Sequence, residues 1–515
     1  MFFNIINNST CNMFKLITFC IFKSLKFIVM RTLCLSVLIA SAIVFQGCRK
    51  STIYNEAINK AETLIEEGSL QKAMLIIDSV RNATKNENIR WKADSLSEII
   101  KRIKLDFSVT ESKIDTILPG LINDYSPSAR EMWEKNGWLE FRIIDGEKKY
   151  FNRAATNLVL LRNFYQNRTY RDSLVAGNPI VIFRKNHTAE IIRLSEKNSS
   201  PVMPVQIEVT YTITVKPDAV PPGSIIRCWM PYPKENNLRQ KEVYLLGISN
   251  ENYFHLAPDS VVHKTIYMEE KAKRGIPAVF QIAFSYFSCG QYFDPEKMNI
   301  LPYNKNSELY KKYTREQPPH ICFTEKVKHL ADSLAGNETN PYEIVRKFYY
   351  WFNENIPWAG ALEYSIIPNI PEYTLKNRRG DCGMQTFLLM SMLRYKGIPV
   401  KWQSGWMLPP GGENLHDWCE VYYEGTGWVP LDISYNLQYS DNKKLKEFYI
   451  TGIDSYRLII NDDVGGKLYP EKKYLRSEPF DFQRGEVEWE GGNLYFDQWD
   501  YDIKVRLKQI PGTRL

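Results

Sequence analysis

Apolar residues recur at helical spacing in the first part of the chain after position 50. They occupy the following positions: Ala57, Ala61, Leu64, Ile65, Ala73, Leu75, Ile76, Ile77 and Val80. Gly68 and Ser69 interrupt the pattern between its two halves, and such a break is typical of a turn between helices. The pattern predicts a helical hairpin region over residues 48–108. Residues 109–200 mix helical and strand periodicities, with a hairpin turn at Asp145-Gly146.

Alternation of apolar and polar residues replaces the helical spacing in residues 201–305. Every second residue from Val205 to Val215 is apolar or aromatic, which is the pattern of a strand with one buried face. This segment predicts a β-sandwich-like middle domain. In residues 306–515 the pattern is helical first and strand-like afterwards. We therefore predict an α+β multidomain protein with an N-terminal helical hairpin, a β-sandwich-like middle domain and a C-terminal α+β domain with a β extension.

Composition and charge restrict the classes of protein to consider. The chain has 515 residues, of which 44% are hydrophobic and 24% are charged, and this balance excludes a largely disordered chain. The formal net charge is +7, but residues 1–47 contain four basic residues and no acidic ones. Because the remainder is close to neutral, charge gives no indication of a nucleic-acid partner, and we predict none.

The N-terminus has the features of an export signal. Arg31 precedes 13 uncharged residues from Leu33 to Phe45, and Gln46-Gly47-Cys48 follows them. This run is shorter than the roughly 20 residues that span a bilayer, and it suits a signal-peptide core. The small residue before Cys48 resembles a bacterial lipoprotein signal, which implies removal of residues 1–47, lipidation of Cys48 and anchoring to a membrane in the periplasm or cell envelope. An ordinary signal peptide or a short uncleaved anchor is the alternative.

One cysteine precedes a well-marked helix. The motif Arg379-Gly380-Asp381-Cys382-Gly383 is followed by a Leu- and Met-rich stretch that ends before Gly397-Ile398-Pro399, where a glycine and a proline stop helices. Cys382 is therefore predicted in the first turn of a mostly buried helix. The unpaired N–H groups and the positive dipole end there favour a thiolate and are expected to lower the pKa of Cys382.

A histidine and a carboxylate follow on predicted neighbouring strands. One strand begins at His416, and after a turn near Gly425 the next strand ends at Asp432. A two-residue turn would place position 435 opposite His416, so contact with Asp432 requires a bulge, a longer loop or a diagonal pair. A thiol, an imidazole and a carboxylate are the groups that nucleophilic thiol catalysis needs.

Together these blocks resemble the transglutaminase-like superfamily, whose members are papain-type cysteine enzymes with a Cys-His-Asp triad. The resemblance covers residues 345–435 and rests on three motifs: Gly-Asp-Cys before a Leu-rich helix, His-x-Trp on a strand, and Gly-Trp-Val-Pro-Leu-Asp. It implies catalytic roles for Cys382, His416 and Asp432. The sequence departs from the family at Asp417, where Ala or Cys is commoner, and on a regular strand Asp417 is expected to face away from His416.

Other roles are less well marked by the sequence. The resemblance places an oxyanion donor upstream of the triad or nearby, and Trp358, Trp351 and Gln385 are the candidates, with packing as the alternative for each. A zinc site at Cys382, His416 and Cys419 is disfavoured, because residues three apart on a strand face opposite sides. We predict no metal and no cofactor.

The expected activity is acyl transfer on amide bonds through a thioester, with a peptide or protein as the substrate, including a cell-wall or glycan-linked peptide. Resolution by water would make the protein a peptidase or amidase, which we favour, because many bacterial members of the superfamily are thought to be hydrolytic. Resolution by an amine would make it a protein-glutamine transglutaminase. A non-catalytic envelope scaffold that binds a peptide or glycan is the third possibility.

Overall fold

A computed structural model of the chain describes residues 52–166, 177–197, 199–235 and 237–508. The chain divides into two compact units, one ending at Ile100 and the other beginning at Lys101. The predicted leader, residues 1–47, and the predicted lipidation site Cys48 lie outside the described residues. Within the described ranges, no helix is both long enough and apolar enough to cross a membrane.

The first unit contains the predicted helical hairpin. A helix over residues 52–66 is followed by the helix Leu70–Ala83, and a further helix, Glu87–Asp106, begins in this unit and ends in the second one. Gly68 in the turn has a φ of 79°, a left-handed conformation that glycine adopts without strain. Ala73 and Ile77 are fully buried, whereas Leu75 is 72% exposed. Two residues correspond to more than half a helical turn, so Leu75 faces away from the buried stripe.

The second unit is a mixed α+β structure with several sheets. Its α-helices are Glu111–Leu121, Pro127–Lys135, Ala154–Gln166, Pro179–Leu194, Glu308–Thr314, Glu325–Ala335, Pro341–Asn355, Ile370–Asn377, Cys382–Tyr395, Lys443–Lys446 and Phe448–Thr451. Its 3₁₀ helices are Pro295–Lys297, Tyr364–Ile366 and Ile433–Tyr435. Its strands are β1 (Val109–Thr110), β2 (Phe141–Ile144), β3 (Glu147–Tyr150), β4 (Val202–Val215), β5 (Ile225–Pro231), β6 (Gln240–Ile248), β7 (Phe254–Leu256), β8 (Thr265–Lys271), β9 (Ala278–Tyr292), β10 (Val400–Met407), β11 (Asn414–Tyr423), β12 (Gly427–Leu431), β13 (Gly452–Ile453), β14 (Arg457–Asn461), β15 (Glu486–Trp489), β16 (Gly492–Leu494) and β17 (Trp499–Lys508).

Two five-stranded sheets contain the strands predicted for residues 201–305. One has the order β13-β9-β4-β17, with β6 also paired to β9, and the other has the order β16-β15-β5-β8-β7. The alternation predicted from Val205 to Val215 is confirmed, since each second residue of this run is buried. The hairpin turn at Asp145-Gly146 is also present, between β2 and β3.

The C-terminal strands pair with strands of residues 201–305. β17 pairs along its whole length with β4, and β15 pairs with β5. Pairing partners distant in sequence leave no local signal, because the alternation of a strand does not say which edge it will join. The finer division of the second unit into domains at 200/201 and 305/306 remains a prediction.

The sheet that carries the site has four antiparallel strands in the order β12-β11-β10-β14. Its inner residues Trp406, Leu458 and Ile460 join the same buried apolar cluster as Ile207 of β4 and Met268 of β8. The helix Cys382–Tyr395 packs against β10 and β11. This packing of the helix on β10 and β11 fixes the helix start and the strand ends with respect to each other.

Candidate active site

Cys382 occupies the first position of the helix Cys382–Tyr395. Asp381 is the N-cap, and its Oδ1 accepts hydrogen bonds from the backbone N–H of Met384 at 3.0 Å and from the Tyr364 hydroxyl at 2.5 Å. Every residue from Gly383 to Arg394 is buried, so the helix is a core element with a fixed start. The local sequence therefore holds the sulfur atom at a defined point.

The thiol of Cys382 contacts Asp417. Sγ lies 3.3 Å from Asp417 Oδ2, and Asp417 Oδ1 accepts a hydrogen bond from Gln483 Nε2 at 2.7 Å. Gly383 leaves room for this contact, because a Cβ atom there would lie 2.7 Å from Asp417 Oδ2 and 2.1 Å from the Tyr364 hydroxyl. A larger residue at this position would displace the carboxylate from the sulfur.

Asp417 shares a cavity with His416, contrary to the expectation from strand alternation. Four consecutive residues of β11, from Asn414 to Asp417, line the same cavity. Neighbouring side chains of a strand point to opposite faces, so the cavity must extend to both faces of β11 at its beginning. The carboxylate therefore contacts the thiol instead of pointing away from the site.

The acidic surroundings oppose ionisation of the thiol. Burial raises the pKa of Cys382 well above its usual value, the charges of Asp417 and Asp381 raise it further, and the backbone N–H of Asp417 acts in the opposite direction. Burial and the charges of Asp481 and Asp381 likewise raise the pKa of Asp417 well above its usual range. The prediction of a lowered pKa at the helix start is therefore wrong for this arrangement, because burial and nearby carboxylates outweigh the helix dipole. Cys382 is a protonated thiol here.

His416 and Asp432 form a direct pair. His416 Nε2 lies 2.7 Å from Asp432 Oδ2, and both side chains are buried. The imidazole stacks on Trp418 with a centroid distance of 6.1 Å, and the ring of Tyr435 approaches it edge-on at 5.3 Å. The ring is thus fixed by one hydrogen bond and two aromatic neighbours.

The register between the strands explains how this pair forms. Tyr423 of β11 pairs with Gly427 of β12, so the turn contains three residues instead of two. β12 ends at Leu431, and Asp432 becomes the N-cap of the short helix Ile433–Tyr435, with Oδ1 accepting the Ser434 N–H at 3.1 Å. The longer loop and the departure of the chain from the strand bring the carboxylate to the imidazole.

A buried arginine holds the carboxylate from the other side. Arg457 Nη1 lies 2.8 Å from Asp432 Oδ2, and Nη2 lies 2.6 Å from Asp454 Oδ2. Burial, the largest effect on Asp432, raises its pKa, but the charges of His416 and Arg457 outweigh it and hold this pKa below its usual value. An ionised Asp432 keeps the hydrogen on Nε2 of His416, which leaves Nδ1 for proton transfer.

Cys382 and His416 line one cavity of about 570 Å³. In the described part of the chain, no hydrogen bond joins Sγ to the imidazole, so the thiol and the His416–Asp432 pair are neighbours in one cavity without forming a continuous chain. Six carboxylates line the cavity: Glu363, Asp381, Asp417, Asp454, Glu478 and Asp481. Three arginines also line it: Arg153, Arg184 and Arg484. No three His, Cys, Asp or Glu residues of the described ranges are grouped so as to hold a metal ion.

The oxyanion candidates have different positions. Trp358 lines the cavity and is 44% exposed. Its backbone forms an isolated β-bridge with Gly380, which lies just before the helix Cys382–Tyr395. Gln385 is 1% exposed, and its Nε2 donates to the Ile356 carbonyl at 2.8 Å; this placement counts against an oxyanion role. Trp351 and Cys419 are not among the residues that line the cavity, and Cys419 is fully buried.

Several residues of the site were missed from the sequence. The sequence contained one indication of Arg457, because it is a charged residue at the start of the apolar run that forms β14. Nothing in the sequence pointed to Gln483 and Asp481, because the segment after β14 contains no recognisable motif. The helix Pro179–Leu194, which contributes Phe183 and Arg184 to the cavity wall, is nearly 200 residues upstream of the thiol.

Residues 328–433 match the family model of the transglutaminase-like superfamily. This segment is a transglutaminase-like core domain. The matched range contains Cys382, His416 and Asp432, so the resemblance stated from the motifs is confirmed. The transglutaminase-like domain supports a cysteine-type enzyme in coarse terms and leaves the reaction open.

Individual relatives are distant. The uncharacterized protein YebA of Bacillus subtilis is 22% identical in an alignment of 156 residues that covers 27% of this chain and 21% of that protein, so the chain spans only a minor part of this relative. A candidate cysteine protease from Cytophaga hutchinsonii is similar at 13% identity, with 61% of this chain and 93% of that chain covered and a TM-score of 0.42. The periplasmic domain of TgpA from Pseudomonas aeruginosa is similar at 14% identity, with 50% of this chain and 94% of that chain covered and a TM-score of 0.25.

Proposed function

We propose that the protein is an exported, cysteine-dependent enzyme that hydrolyses amide bonds of a peptide or protein through a thioester on Cys382. One observation carries this proposal: Cys382 and His416 line the same cavity, and His416 is held by a 2.7 Å hydrogen bond to Asp432. The transglutaminase-like core domain supports the same class.

The proposed reaction begins with transfer of the Sγ proton of Cys382 to Nδ1 of His416. Sγ then attacks the amide carbonyl carbon, a C–S bond forms, and the C–N bond breaks as the imidazolium gives its proton to the leaving amine. Water, deprotonated by His416, attacks the thioester, the C–S bond breaks, and the His416 imidazolium returns its proton to Sγ, so that the products are a carboxylic acid and the regenerated thiol. Asp432 acts through His416, because it fixes the ring and stabilises the imidazolium.

The thiol must leave Asp417 before this reaction can start. Sγ donates to Asp417 Oδ2 in the structure, and catalytic hydrogen bonds often form only when substrate is bound. We therefore propose that the observed arrangement is the resting form, and that a bound substrate moves the sulfur towards His416.

Amide hydrolysis is tested with the purified protein and a mixture of peptides, by following newly formed amino groups. Wild type is compared with Cys382→Ala and with Cys322→Ala, a partly exposed cysteine outside the cavity. We expect turnover by wild type and by Cys322→Ala and none by Cys382→Ala. Equal turnover by both alanine variants would refute the role of Cys382.

A second assay separates the reaction outcomes. The protein is incubated with a glutamine peptide and a labelled primary amine. Incorporation of the label into the peptide would show transamidation and would count against hydrolysis as the reaction. Peptide or glycan binding without turnover in either assay would instead indicate a scaffold.

The location and partners belong to the same proposal. We propose attachment of the mature chain to a membrane through a lipid on Cys48, in the periplasm or cell envelope, and no nucleic-acid partner. The supporting features are the uncharged run before Gly47-Cys48 and the near-neutral charge of the remaining chain.

A further inference from the structure

We infer that the cavity contains a subsite for a primary ammonium group beside Cys382, formed by the carboxylates of Asp417 and Asp481. The inference deepens the proposed function and rests on it only in treating Cys382 as the reacting thiol. It assigns a chemical class to the substrate: a molecule with a protonated amino group close to the amide that is attacked.

Asp481 is a buried carboxylate without a partner. Its residue is 7% exposed and lines the cavity. Among the described residues, its side chain makes no hydrogen bond and no ion pair, and only its backbone carbonyl accepts a bond, from Arg476 Nη2 at 2.6 Å. Buried carboxylates are almost always paired or neutral, and an unpaired one that lines a cavity can pair with a cationic ligand that enters it.

The neighbouring arginines are already engaged. Arg484 pairs with Glu363 at 2.8 Å and with Glu478 at 2.5 Å. Arg476 pairs with Glu486 at 3.2 Å. Both arginines lie near enough to lower the pKa of Asp481, yet burial, followed by the charge of Glu478, keeps this pKa well above its usual range. Neither arginine side chain therefore pairs with the Asp481 carboxylate, and a cation bound beside it would favour its ionised form.

Asp417 places the subsite next to the sulfur. Its Oδ2 is 3.3 Å from Cys382 Sγ, and the charge of Asp481 is the largest electrostatic effect on it. A cation held between the two carboxylates would therefore lie beside Sγ. Its positive charge would offset the negative charges that oppose ionisation of Cys382, so that binding of the correct substrate would also activate the thiol.

The chemistry of the pair favours an ammonium group over a metal ion. An ammonium group has three donors and forms charge-assisted hydrogen bonds to carboxylates. A metal ion needs a larger set of ligands, and within the described ranges no such group of side chains is present.

The test measures how the charge of a small reagent changes its reaction with Cys382. Three methanethiosulfonates are used, one with an aminoethyl cation, one with an ethylsulfonate anion and one with a neutral methyl group. Digestion with trypsin gives a peptide over residues 380–394 in which Cys382 is the single cysteine, so mass spectrometry of this peptide reports the reaction at Cys382 alone. No turnover is required, and failure of the hydrolysis assay is therefore distinguishable from failure of this test.

We expect the cationic reagent to modify Cys382 at least about tenfold faster than the anionic one at low ionic strength, with the ratio falling as salt is added. Asp481→Asn keeps the size of the side chain and should reduce the ratio to about threefold or less. Asp441→Asn, which changes an exposed carboxylate outside the cavity, should leave the ratio unchanged.

A ratio near one in the wild-type protein would overturn the inference, and so would a ratio that Asp481→Asn does not change. The wild-type ratio and its salt dependence remain decisive if Asp481→Asn fails to fold.

A competition experiment identifies the source of the amino group. Protection of Cys382 from the neutral reagent by butylammonium indicates a free amine, and protection by a lysine-containing peptide alone indicates the acyl donor. Protection by neither would also overturn the inference.

Discussion

Replacement of Asp432 by asparagine should destabilise the fold as well as disable the site. Asp432 Oδ2 accepts hydrogen bonds from His416 Nε2 at 2.7 Å and from Arg457 Nη1 at 2.8 Å. The side chains of Asp432 and Arg457 are almost completely buried. At 2.8 Å and an effective dielectric constant near 20, the attraction between two unit charges is about 6 kcal/mol. This value is an upper bound, because Arg457 keeps Asp454 as a partner.

We expect Asp432→Asn to lower the free energy of unfolding by about 3 kcal/mol, within the range for breaking a buried ion pair on one side. The measurement is urea unfolding followed by tryptophan fluorescence. Asp502→Asn, an exposed residue of β17, is the matched control and should change the free energy by less than about 0.5 kcal/mol. A loss below about 1 kcal/mol for Asp432→Asn would refute the reasoning that Asp432 anchors Arg457.

The pH dependence of stability gives an independent check of the same carboxylate. The folded-state pKa of Asp432 lies below the ordinary value of 3.8, so its contribution is present above that value and is lost as pH falls through the lower folded pKa. Asp432→Asn should therefore differ most from wild type above pH of about 4 and converge with it in stronger acid. If Asp432 acts by positioning His416, Asp432→Asn should also lower kcat far more than it raises KM.

Three further changes have defined outcomes. Gly383→Ala should destabilise the protein by about 1–3 kcal/mol, measured by thermal unfolding, because the new Cβ would overlap the Tyr364 hydroxyl and Asp417; an unchanged melting temperature would contradict the packing described. Asp417→Asn removes a carboxyl whose charge and side-chain hydrogen bond both raise the pKa of the Cys382 thiol, so that modification by neutral iodoacetamide, followed on the 380–394 peptide, should begin at a lower pH; a shift to higher pH would contradict this reasoning. Cys48→Ser should abolish incorporation of labelled palmitate in cells, whereas equal labelling of both proteins would exclude Cys48 as the lipidated residue.

The parts of the fold that were predictable are those that depend on residues close to each other in the sequence. The alternation in β4, the hairpin at Asp145-Gly146 and the helix after Cys382 each depend on residues close in sequence, and all are present. The pairing of β17 with β4 joins segments almost 300 residues apart. No periodicity in either segment specifies that pairing, so the sequence did not predict it.

The sequence by itself determined the candidate catalytic groups: a cysteine at a helix start, a histidine at a strand start and an aspartate at the end of the next strand. Each depends on capping, turns and alternation, which act over a few residues. Tertiary structure decided the charge around them. It placed Asp417 against the sulfur, Arg457 behind Asp432 and Asp481 unpaired in the cavity, because a pKa depends on burial and on charges from any part of the chain that packs nearby.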